Sequence, residues 1–514
     1  MTASTLLIAV PVAVPLLAAG LSLLLSPFPV VQRVLGVTVL AAVLLDAAVL
    51  LVHVDRSGTQ PLHVGGWEPP LGITLVADRF SALVLLVSAL VCLVVMLYAV
   101  GQGTAEQRVE NVPSVFHPTY LVLLAGIALV FLTGDLFTLF VGLEVMLMAS
   151  YVLITLGATA ERVRAGMTYI ISSLTASILL VTTIGLVYST TGTVNLAQLS
   201  EATADLSAGT RGLLGLLLLV VLGIKAAMVP LHWWLPDSYP TAPVPVTAVF
   251  AALLTKVAVY AIVRTQTLMF PQPEPWTLLL VLSAATMLVG VLGALVQDDV
   301  NRLLSFTLVS HIGFMLFGLA LSSVAGLTGV VLYLVHHITV QTALFLVSGL
   351  VERERGTVSL RRLGGLASTA PLVAALFLLP AFSLGGVPPL AGFIGKLALL
   401  QAAVARATPL VLAVAAVVLL ASLLTLAAMT RLWLLAFWRH PAEPVAESPA
   451  QRAGEGEIPL ASARLMRASA AAAVLVGLLL VAAAGPLAAF SQRAAADLAD
   501  RASYRGAVLS GEAG

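Results

Sequence analysis

The stretch PLHWWLPDSYPTAPVPVTAVFAALLTKVAVYAIVR (230–264) carries the features that decide the fold. It opens on a proline-rich turn and continues as an apolar run long enough to span a membrane. Lys256 lies near the middle of that run, with apolar residues on both sides. A charge at mid-bilayer costs about 2.5–3.5 kcal/mol on insertion scales, so this lysine is a candidate functional residue. Snorkelling of its side chain to the membrane surface is the alternative.

The composition of the whole chain is that of a polytopic membrane protein. Of 514 residues, 10% are charged and 60% are hydrophobic, whereas soluble domains carry about 25% charged residues. A soluble globule of this size could not cover its surface with so few charges. The net charge of +1 gives no sign of a nucleic-acid partner. The single Cys92 excludes a disulfide framework, a Cys-ligated zinc site and an iron–sulfur cluster.

Lysine is scarce in this chain, and its placement is unusual. Of the 25 basic residues, 22 are arginine, and the three lysines (Lys225, Lys256 and Lys396) all lie in apolar segments. A bias toward arginine explains the missing surface lysines but not the position of the remaining ones. Arginine keeps its proton, whereas a buried lysine can lose and regain one. The three lysines are therefore candidates for proton transfer.

Apolar segments of about 20 residues predict an all-α polytopic protein with about fourteen transmembrane helices. They cover residues 5–25 (a retained first helix), 30–53, 78–101, 117–133, 136–157, 166–190, 212–230, 243–268, 276–296, 302–321, 326–350, 372–403, 409–435 and 466–490. Prolines interrupt the seventh segment after Lys225 and the twelfth before Lys396. Breaks of this kind are typical of ion pathways. Residues 440–464 are predicted to form a polar loop, and 491–514 a polar, peripheral tail.

The arginines in the loops predict the orientation in the membrane. With the N-terminus outside, the inside connections hold 14 arginines and the outside connections hold 8. The inside set is Arg33, Arg108, Arg162, Arg164, Arg302, Arg353, Arg355, Arg361, Arg362, Arg431, Arg439, Arg452, Arg464 and Arg467. The outside set is Arg56, Arg79, Arg211, Arg264, Arg406, Arg493, Arg501 and Arg505. We therefore predict a multi-pass protein of the cell membrane with both termini outside.

Ionisable groups at membrane depth form a series along the predicted helices. The series is Glu144, Lys225, Lys256, His311, His336, His337 and Lys396. A carboxylate in an apolar segment protonates unless a cation lies close, and Lys225 is the natural candidate to pair with Glu144. A purely structural ion pair is the alternative. Histidine titrates near neutral pH, although a lone membrane histidine is often only a packing residue. Adjacent residues point about 100° apart on a helix, so we expect at most one of His336 and His337 to face the relay.

Four further polar residues lie at helix ends, in the proline-rich turn or within the second segment. His232 and Asp237, in the proline-rich turn, are predicted either to line a proton entrance or only to hold the turn. Asp135 is predicted to lie at a helix end. Asp46 is expected to face a partner subunit or to hydrogen-bond a Ser or Thr. The chain has no nucleophile elbow, Walker loop or dinucleotide fingerprint. The pattern therefore predicts translocation rather than enzyme chemistry, with no cofactor and no metal.

These residues resemble a known family, the antiporter-like subunits shared by respiratory complex I and the multisubunit Mrp cation/proton antiporters. The stretch 230–264 is similar to the most recognisable block of that family. Three further blocks are similar: QDDVNRLLSFTLVSHIGFMLFGL (297–319), HHITVQTALFLVSG (336–349) and SLGGVPPLAGFIGKL (383–397). With the Glu144 helix, the resemblance covers residues 115–435. LPDSYPTAP (235–243), GGWEPPLGITLVADRFSALVLL (65–86) and RLWLLAFWR (431–439) look like the Mrp branch.

The resemblance implies fourteen helices, with helices 4–8 and 9–13 as inverted repeats and helices 7 and 12 broken. It divides the chain into N-terminal helices (1–114), a first repeat (115–270), a second repeat (271–438), a cytoplasmic loop (439–465) and a last helix with its tail (466–514). It also implies partners, namely other membrane subunits of a hetero-oligomeric complex.

The resemblance assigns roles by position. Glu144 and Lys225 correspond to the ion pair of the N-terminal half-channel, and Lys256 to the central relay residue. His311 and the pair His336-His337 would lie on the path to Lys396, the lysine on the exit side. One departure is clear, because Gln341 stands where many relatives have Lys. Gln can bridge waters but carries no charge, so a relay at this point would depend on His336, His337 and water.

The predicted function is that of a proton-translocating subunit of a Na+/H+ antiporter. The main alternative is a proton-pumping membrane subunit of complex I, coupled to quinone reduction. A further alternative is a structural scaffold with inert buried charges, which the number of buried ionisable groups disfavours. Another is a membrane haem protein, which only the histidines support.

Overall fold

A computed structural model describes residues 3–103, 115–156, 160–440 and 460–509. Arg108, Arg452 and residues 441–459 of the predicted cytoplasmic loop lie outside the described residues. The elements in chain order are α1 (Ala3–Leu24), α2 (Pro29–Ser57), β1 (Gln60–His63), β2 (Thr74–Ala77), α3 (Arg79–Gln102), α4 (Phe116–Leu132), α5 (Leu136–Ile154), α6 (Ala160–Thr191), α7 (Leu196–Ala202), α8 (Ala208–Ala226), α9 (Trp234–Ser238), α10 (Val244–Val249), α11 (Thr255–Leu268), α12 (Thr277–Leu295), α13 (Val300–Ala320), α14 (Val324–Arg355), α15 (Leu366–Thr369), α16 (Pro371–Gly385), α17 (Ala391–Arg406), α18 (Pro409–Trp433), α19 (Leu460–Ala482), α20 (Ala484–Ala499) and α21 (Arg501–Leu509).

Apolar helices of membrane-spanning length make up most of the fold. Twelve helices of the described chain are long and apolar enough to cross a membrane. The helices α4 and α16 are apolar but shorter. Helices dominate because a chain in a lipid core must satisfy its backbone hydrogen bonds internally. The prediction of a nearly all-helical polytopic membrane protein is confirmed, whereas the count of fourteen crossings and the inverted repeats stay predictions.

The two predicted interruptions are present, and each lies beside a lysine. Helix α8 ends at Ala226, one residue after Lys225, because Ala227 takes a left-handed conformation with φ of 59°. The predicted seventh segment, which extended to 230, is therefore too long at this end. Helix α16 ends at Gly385, Gly386 is left-handed with φ of 89°, and the chain becomes helical again at Ala391.

A five-residue π-helical turn joins α10 to α11. It covers Phe250–Leu254 and directly precedes Thr255 and Lys256. A π turn shifts the backbone hydrogen-bond pattern by one residue, and such turns are frequent at functional sites. The continuous stretch Val244–Leu268 is buried within the fold except at Thr267, and α13 and α14 are buried for most of their length. The core therefore contains the helices that carry Lys256 and the predicted histidines.

Both described ends of the chain lie at the same end of the bundle. A short turn joins α1 to α2, so the start of α1 is level with the end of α2. There β1 pairs antiparallel with β2, with Gln60 opposite Ala77, and α21 packs against β1. This hairpin lies in the connection between the second and third predicted helices, for which the sequence pattern predicted no strand.

The C-terminal tail is helical and firmly packed, which differs from the predicted peripheral tail. Helix α20 packs against α3, α11 and α14, and buries Ala494, Ala495 and Leu498. Ion pairs link this helix to α3 and α2, because Arg79 of α3 lies 2.8 Å from Asp497 of α20 and 2.7 Å from Asp55 of α2. The tail contains enough small and apolar residues at helical spacing for one face of each helix to be buried.

At the opposite end of the bundle, Asp298 joins two separate segments of the chain. Its carboxylate lies 2.6 Å from the guanidinium of Arg361 and 2.9 Å from that of Arg431. Hydrogen bonds from these two arginines hold the pKa of Asp298 below its ordinary value. Arg361 and Arg431 thus join the loop before α13 to the loop after α14 and to the end of α18, a role for which a permanent charge suffices.

Candidate functional site

The first cluster joins the predicted pair Glu144 and Lys225 through a third residue. Lys225 Nζ lies 3.7 Å from Glu144 Oε1. Lys225 also donates a hydrogen bond of 2.9 Å to the hydroxyl of Ser177, on α6. That hydroxyl donates in turn to Glu144 Oε1. The structure therefore brings the predicted pair together and adds a hydroxyl that can pass a proton between the two groups.

The end of α8 sets the position of Lys225. The last carbonyls of a helix carry a partial negative charge, which favours an ammonium in the last turn. Backbone groups on both sides of Lys225 find partners, because Val229 N–H donates to Thr286 Oγ1 at 3.2 Å and Ile224 O accepts from the Trp234 side chain Nε1 at 2.9 Å. These backbone groups at the break therefore have hydrogen-bond partners, and the Lys225 ammonium lies at the end of α8.

A small cavity leads from Lys225 toward the π turn. It has both hydroxyl groups and apolar side chains in its lining. The lining residues include Tyr169, Ser172, Ser173, Lys225, Trp234 and Leu254. The cavity therefore borders both Lys225 and Leu254, the residue that ends the π turn before Thr255 and Lys256.

Lys256 is fully buried within α11. Its Nζ donates hydrogen bonds to Ala251 O at 2.6 Å and to Thr255 Oγ1 at 3.2 Å. Ala251 lies in the π turn, where the altered hydrogen-bond pattern makes a backbone carbonyl available to the ammonium. Within the described residues Lys256 has no ion-pair partner. The hydrogen-bond acceptors of the Lys256 ammonium are neutral oxygens, so no fixed negative charge among them stabilises its protonated form.

The second cluster is built on α13 and α14. Tyr333 OH lies 2.5 Å from His311 Nδ1, within hydrogen-bond distance. The rings of His311 and His337 are stacked, with centroids 5.1 Å apart and planes 15° apart. Gln341 Nε2 lies 3.2 Å from His337 Nε2. Gln341 therefore contacts the histidine one turn before it, although it cannot carry the charge of a lysine.

His336 lies on another side of α14 from His337, as the 100° step between adjacent residues requires, and its ring contacts the cluster only through Tyr333, with centroids 5.6 Å apart. It borders crevices that also touch α16, α17 and α19. Its Nε2 is buried and has no hydrogen-bond partner among the described residues, and the same holds for His311 Nε2 and His337 Nδ1. Free ring nitrogens in three neighbouring histidines leave sites at which water or a proton can bind.

Lys396 occupies the second break in the fold. Its Nζ donates to Leu384 O at 2.8 Å and to Gly385 O at 3.1 Å, the carbonyls that end α16. It also lies 5.0 Å from the centroid of Phe314, and Phe314 stacks on His311 with centroids 5.1 Å apart. The ammonium thus caps the C-terminus of α16, whereas Lys225 bonds Ser177 and only lies in the last turn of α8. One aromatic ring separates Lys396 from the histidines.

Three residues in contact with these groups carry no signal in the sequence pattern of ionisable residues: Ser177, Tyr333 and Phe314. Each is an ordinary residue of a membrane helix, and only its contact with an ionisable group distinguishes it. Ser177 could have been suspected from the unusual number of hydroxyl residues in α6. The aromatic pair gave no signal of its own.

The weaker predictions have mixed outcomes. Asp135 accepts a hydrogen bond of 2.6 Å from Thr138 N–H at the start of α5, as predicted for a helix end. Asp237 forms a 2.9 Å ion pair with Arg302, and both side chains are about half exposed. His232 Nδ1 is buried without a hydrogen-bond partner in the described chain. Whether His232 and Asp237 form an entrance stays a prediction.

Comparison with known proteins defines the class to which this fold and site belong. The family model described as "NADH:quinone oxidoreductase/Mrp antiporter, TM" matches residues 133–425. Those residues are more than half of the chain and include all three buried lysines. The chain therefore belongs to the family of NADH:quinone oxidoreductase and Mrp antiporter membrane subunits.

Within that family the chain is similar to the D-type subunit of the Na(+)/H(+) antiporter of Alkalihalophilus pseudofirmus, with 39% identity over 435 residues, 84% of this chain and 87% of that protein. A chain in the Mrp complex from Dietzia sp. DQ12-45-1b has the same fold, with a TM-score of 0.90, 35% identity and coverage of 99% of this chain and 100% of that one. A chain of the membrane-bound sulfane sulfur reductase, an archaeal respiratory complex, gives a TM-score of 0.82 at 26% identity, covering 98% of this chain and 99% of that one. The predicted resemblance to the Mrp branch is confirmed, and the similar antiporter chain named above is a D-type subunit.

Proposed function

We propose that this chain is a proton-translocating membrane subunit of a multisubunit Na+/H+ antiporter. It is a transporter subunit and not an enzyme, in line with relatives named as antiporter subunits. Protons cross by way of three stations: the Glu144–Ser177–Lys225 cluster, Lys256, and the second cluster that ends at Lys396. Other membrane subunits complete the complex, and Na+ is the exchanged cation because the relatives are Na(+)/H(+) antiporter subunits.

The hydrogen-bonded chain from Lys225 through Ser177 to Glu144 is the observation that carries this proposal. Two unit charges about 4 Å apart interact by about 4 kcal/mol at an effective dielectric near 20. The proton occupancy of Lys225 is therefore coupled to its distance from Glu144. When the contact lengthens, Lys225 releases its proton into the adjoining cavity, and when the contact re-forms it takes up another.

Lys256 receives the proton next. Its neutral hydrogen-bond acceptors, Ala251 O and Thr255 Oγ1, stabilise the ammonium. When the proton leaves, these neutral acceptors leave no unpaired negative charge behind. The π turn that supplies Ala251 packs against α14, the helix of His336 and His337. Water-bridged steps carry the proton between these groups, because a relay requires successive hydrogen bonds rather than direct contact. Lys396 is the last station.

The architecture that goes with this function is also a proposal. Residues 1–114 form the N-terminal helices, 115–270 and 271–438 the two inverted repeats, 439–465 a cytoplasmic loop, and 466–514 the last helix with its tail. The chain lies in the plasma membrane with both termini outside. The shared position of the two described chain ends and the excess of arginine in the other set of loops support this orientation.

The test uses everted membrane vesicles that contain the whole complex, with Na+-dependent collapse of a pH gradient as the readout. Lys225→Ala and Glu144→Ala should each abolish antiport while the complex still assembles. Thr175→Ala is the matched control, because the Thr175 hydroxyl lies on the exposed face of α6 and bonds only its own helix at Ile171 O. Normal antiport in both charge variants would contradict the mechanism. Purification with an NADH-oxidising iron–sulfur arm would instead support the complex I alternative.

A further inference from the structure

Asp46 is an ionisable residue at membrane depth that the proton path does not use. It lies in α2 (Pro29–Ser57), 17 residues from the start of that helix and 11 from its end. At 1.5 Å per residue these separations are about 25 Å and about 16 Å, too far for a short carboxylate side chain to reach a membrane surface. Asp46 also lies outside the region matched by the family model, 133–425.

The carboxylate of Asp46 has no partner within the described chain. Its Oδ2 is buried and makes no hydrogen bond to any described residue. This excludes, for those residues, the Ser or Thr partner that the sequence left open. A carboxylate at this depth without a donor or a cation is costly, so residues of this kind almost always find a partner.

Asp46 lies between the side of α2 that faces α1 and the exposed side of the same helix. Gln32 and Asp46 lie on one side of α2, because fourteen residues are close to four helical turns. Gln32 donates a 2.7 Å hydrogen bond to Ser22 O of α1, so this side of α2 faces α1. On the other side of Asp46, Val49 is 55% exposed. Asp46 therefore lines the edge where the α1–α2 pair meets its surroundings.

We propose that the α1–α2 edge around Asp46 seats a transmembrane helix of another subunit that places a Lys or Arg side chain against this carboxylate. The inference rests on the proposed function, in which the chain is one subunit of a membrane complex. Charge complementarity identifies the occupant, because an apolar helix or a lipid tail offers no donor at this depth.

A second copy of this chain does not fit the same edge. A two-fold symmetric contact there would bring Asp46 of one copy toward Asp46 of the other, which places like charges together in the membrane. The described parts of α1 and α2 contain no lysine, and their arginines, Arg33 and Arg56, lie near the ends of α2. Neither can meet Asp46 of a second copy at mid-helix depth.

Cross-linking in the assembled complex tests the location. A photo-reactive residue replaces Val49, and Leu423, which is 65% exposed on α18, serves as the control position. The Val49 position should cross-link to a peptide of another membrane subunit that contains a Lys or Arg within an apolar stretch, and the Leu423 position should not give that product. Cross-links only to lipid, or only to a second copy of this chain, would overturn the proposal.

Charge exchange tests the chemistry. Asp46→Lys should lower the recovery of the complex about tenfold or more, since it turns an attraction into a repulsion. Asp46→Asn, which keeps the shape, should reduce recovery less. Replacing the cross-linked basic residue of the partner by Asp should restore assembly with Asp46→Lys. Unchanged recovery of the complex with both Asp46→Lys and Asp46→Asn would refute the proposed helix-docking site. Failure of the partner's Asp substitution to restore assembly with Asp46→Lys would refute it as well.

The same preparations separate this inference from the proposed function. Antiport is measured in the wild-type complex, which does not depend on any Asp46 variant. A wild-type complex that assembles without antiport activity contradicts the proposed function but leaves the proposed helix-docking site intact. An active wild-type complex whose Asp46 variants assemble normally contradicts the helix-docking site alone.

Discussion

Lys225 Nζ and Glu144 Oε1 lie 3.7 Å apart, and the hydroxyl of Ser177 bonds both of them. The pair is thus close enough for strong coupling, yet longer than a direct charge-assisted hydrogen bond of about 2.7–2.9 Å. A pair at this distance can tighten or loosen with little movement. We expect the bridging hydroxyl to set which of these states is populated.

Removal of the Ser177 hydroxyl should slow antiport. Hydrogen bonds to charged groups contribute about 1.5–3 kcal/mol, so Ser177→Ala should lower the rate about tenfold or more. Ser177→Thr keeps a hydroxyl and should retain most of the activity. Rates of Na+-driven proton movement in vesicles, normalised to the amount of complex, provide the measurement. Equal rates for the Ala and Thr variants would show that the hydroxyl has no part in the coupling.

Removal of the Tyr333 hydroxyl should weaken the second cluster without dismantling it. Tyr333→Phe deletes the partner of His311 Nδ1 but leaves the stacked rings in place. We expect antiport to fall about tenfold, with a changed pH profile, because the tautomer of His311 is no longer set. Tyr98→Phe is the control, since the buried Tyr98 hydroxyl has no hydrogen-bond partner among the described residues. A profile of Tyr333→Phe identical to that of Tyr98→Phe would argue against a role for this contact.

A side chain at Gly386 should displace Lys396. Gly386 has φ of +89°, and a Cβ there would lie 2.9 Å from Lys396 Cδ and 3.2 Å from Lys396 Nζ. The left-handed conformation alone costs a non-glycine residue about 1–2 kcal/mol. Gly386→Ala should therefore lower both the Tm of the complex and its antiport rate. Gly477→Ala, within α19 and with no atom outside the neighbouring helix backbone within 4 Å of the new Cβ, should lower neither, since alanine is the better helix former. Full activity of Gly386→Ala would mean that Lys396 works equally well in another position.

The stabilisation provided by Asp298 should depend on pH. Arg361 and Arg431 lower its pKa from the ordinary value of 3.8, so folding favours the ionised form. The contribution is complete above the unfolded pKa and is lost as the pH falls through the folded pKa. Asp298→Asn should therefore lower the Tm at neutral pH, and the difference from wild type should shrink in acid. A Tm difference that is constant from pH 7 to below pH 4 would exclude this linkage.

The sequence alone was sufficient to predict the class of fold and most of the ionisable site. Long apolar segments reveal membrane helices because the thickness of the bilayer sets their length. The depth of Lys225, Lys256 and Lys396 follows from their place within those segments. Prolines beside two of the lysines predicted the breaks at which α8 and α16 end.

The partners of these groups could not be predicted in the same way. Helical periodicity tells which residues share a face, but it does not tell which other helix that face meets. Ser177 and Lys225 are 48 residues apart in sequence, and Arg79 and Asp497 are 418 apart. Pairings of this kind depend on how the helices pack, which many contacts determine together.

By itself, then, the sequence determined that this is a membrane protein with lysines, a glutamate and histidines held at bilayer depth, because the cost of burying charge makes such residues conspicuous. Only the tertiary structure decided how they are held. It placed a hydroxyl between Lys225 and Glu144, backbone carbonyls around Lys256 and Lys396, and no described partner beside Asp46. The physical reason is that hydrogen bonds act over about 3 Å and depend on direction, so only the packed helices can specify them.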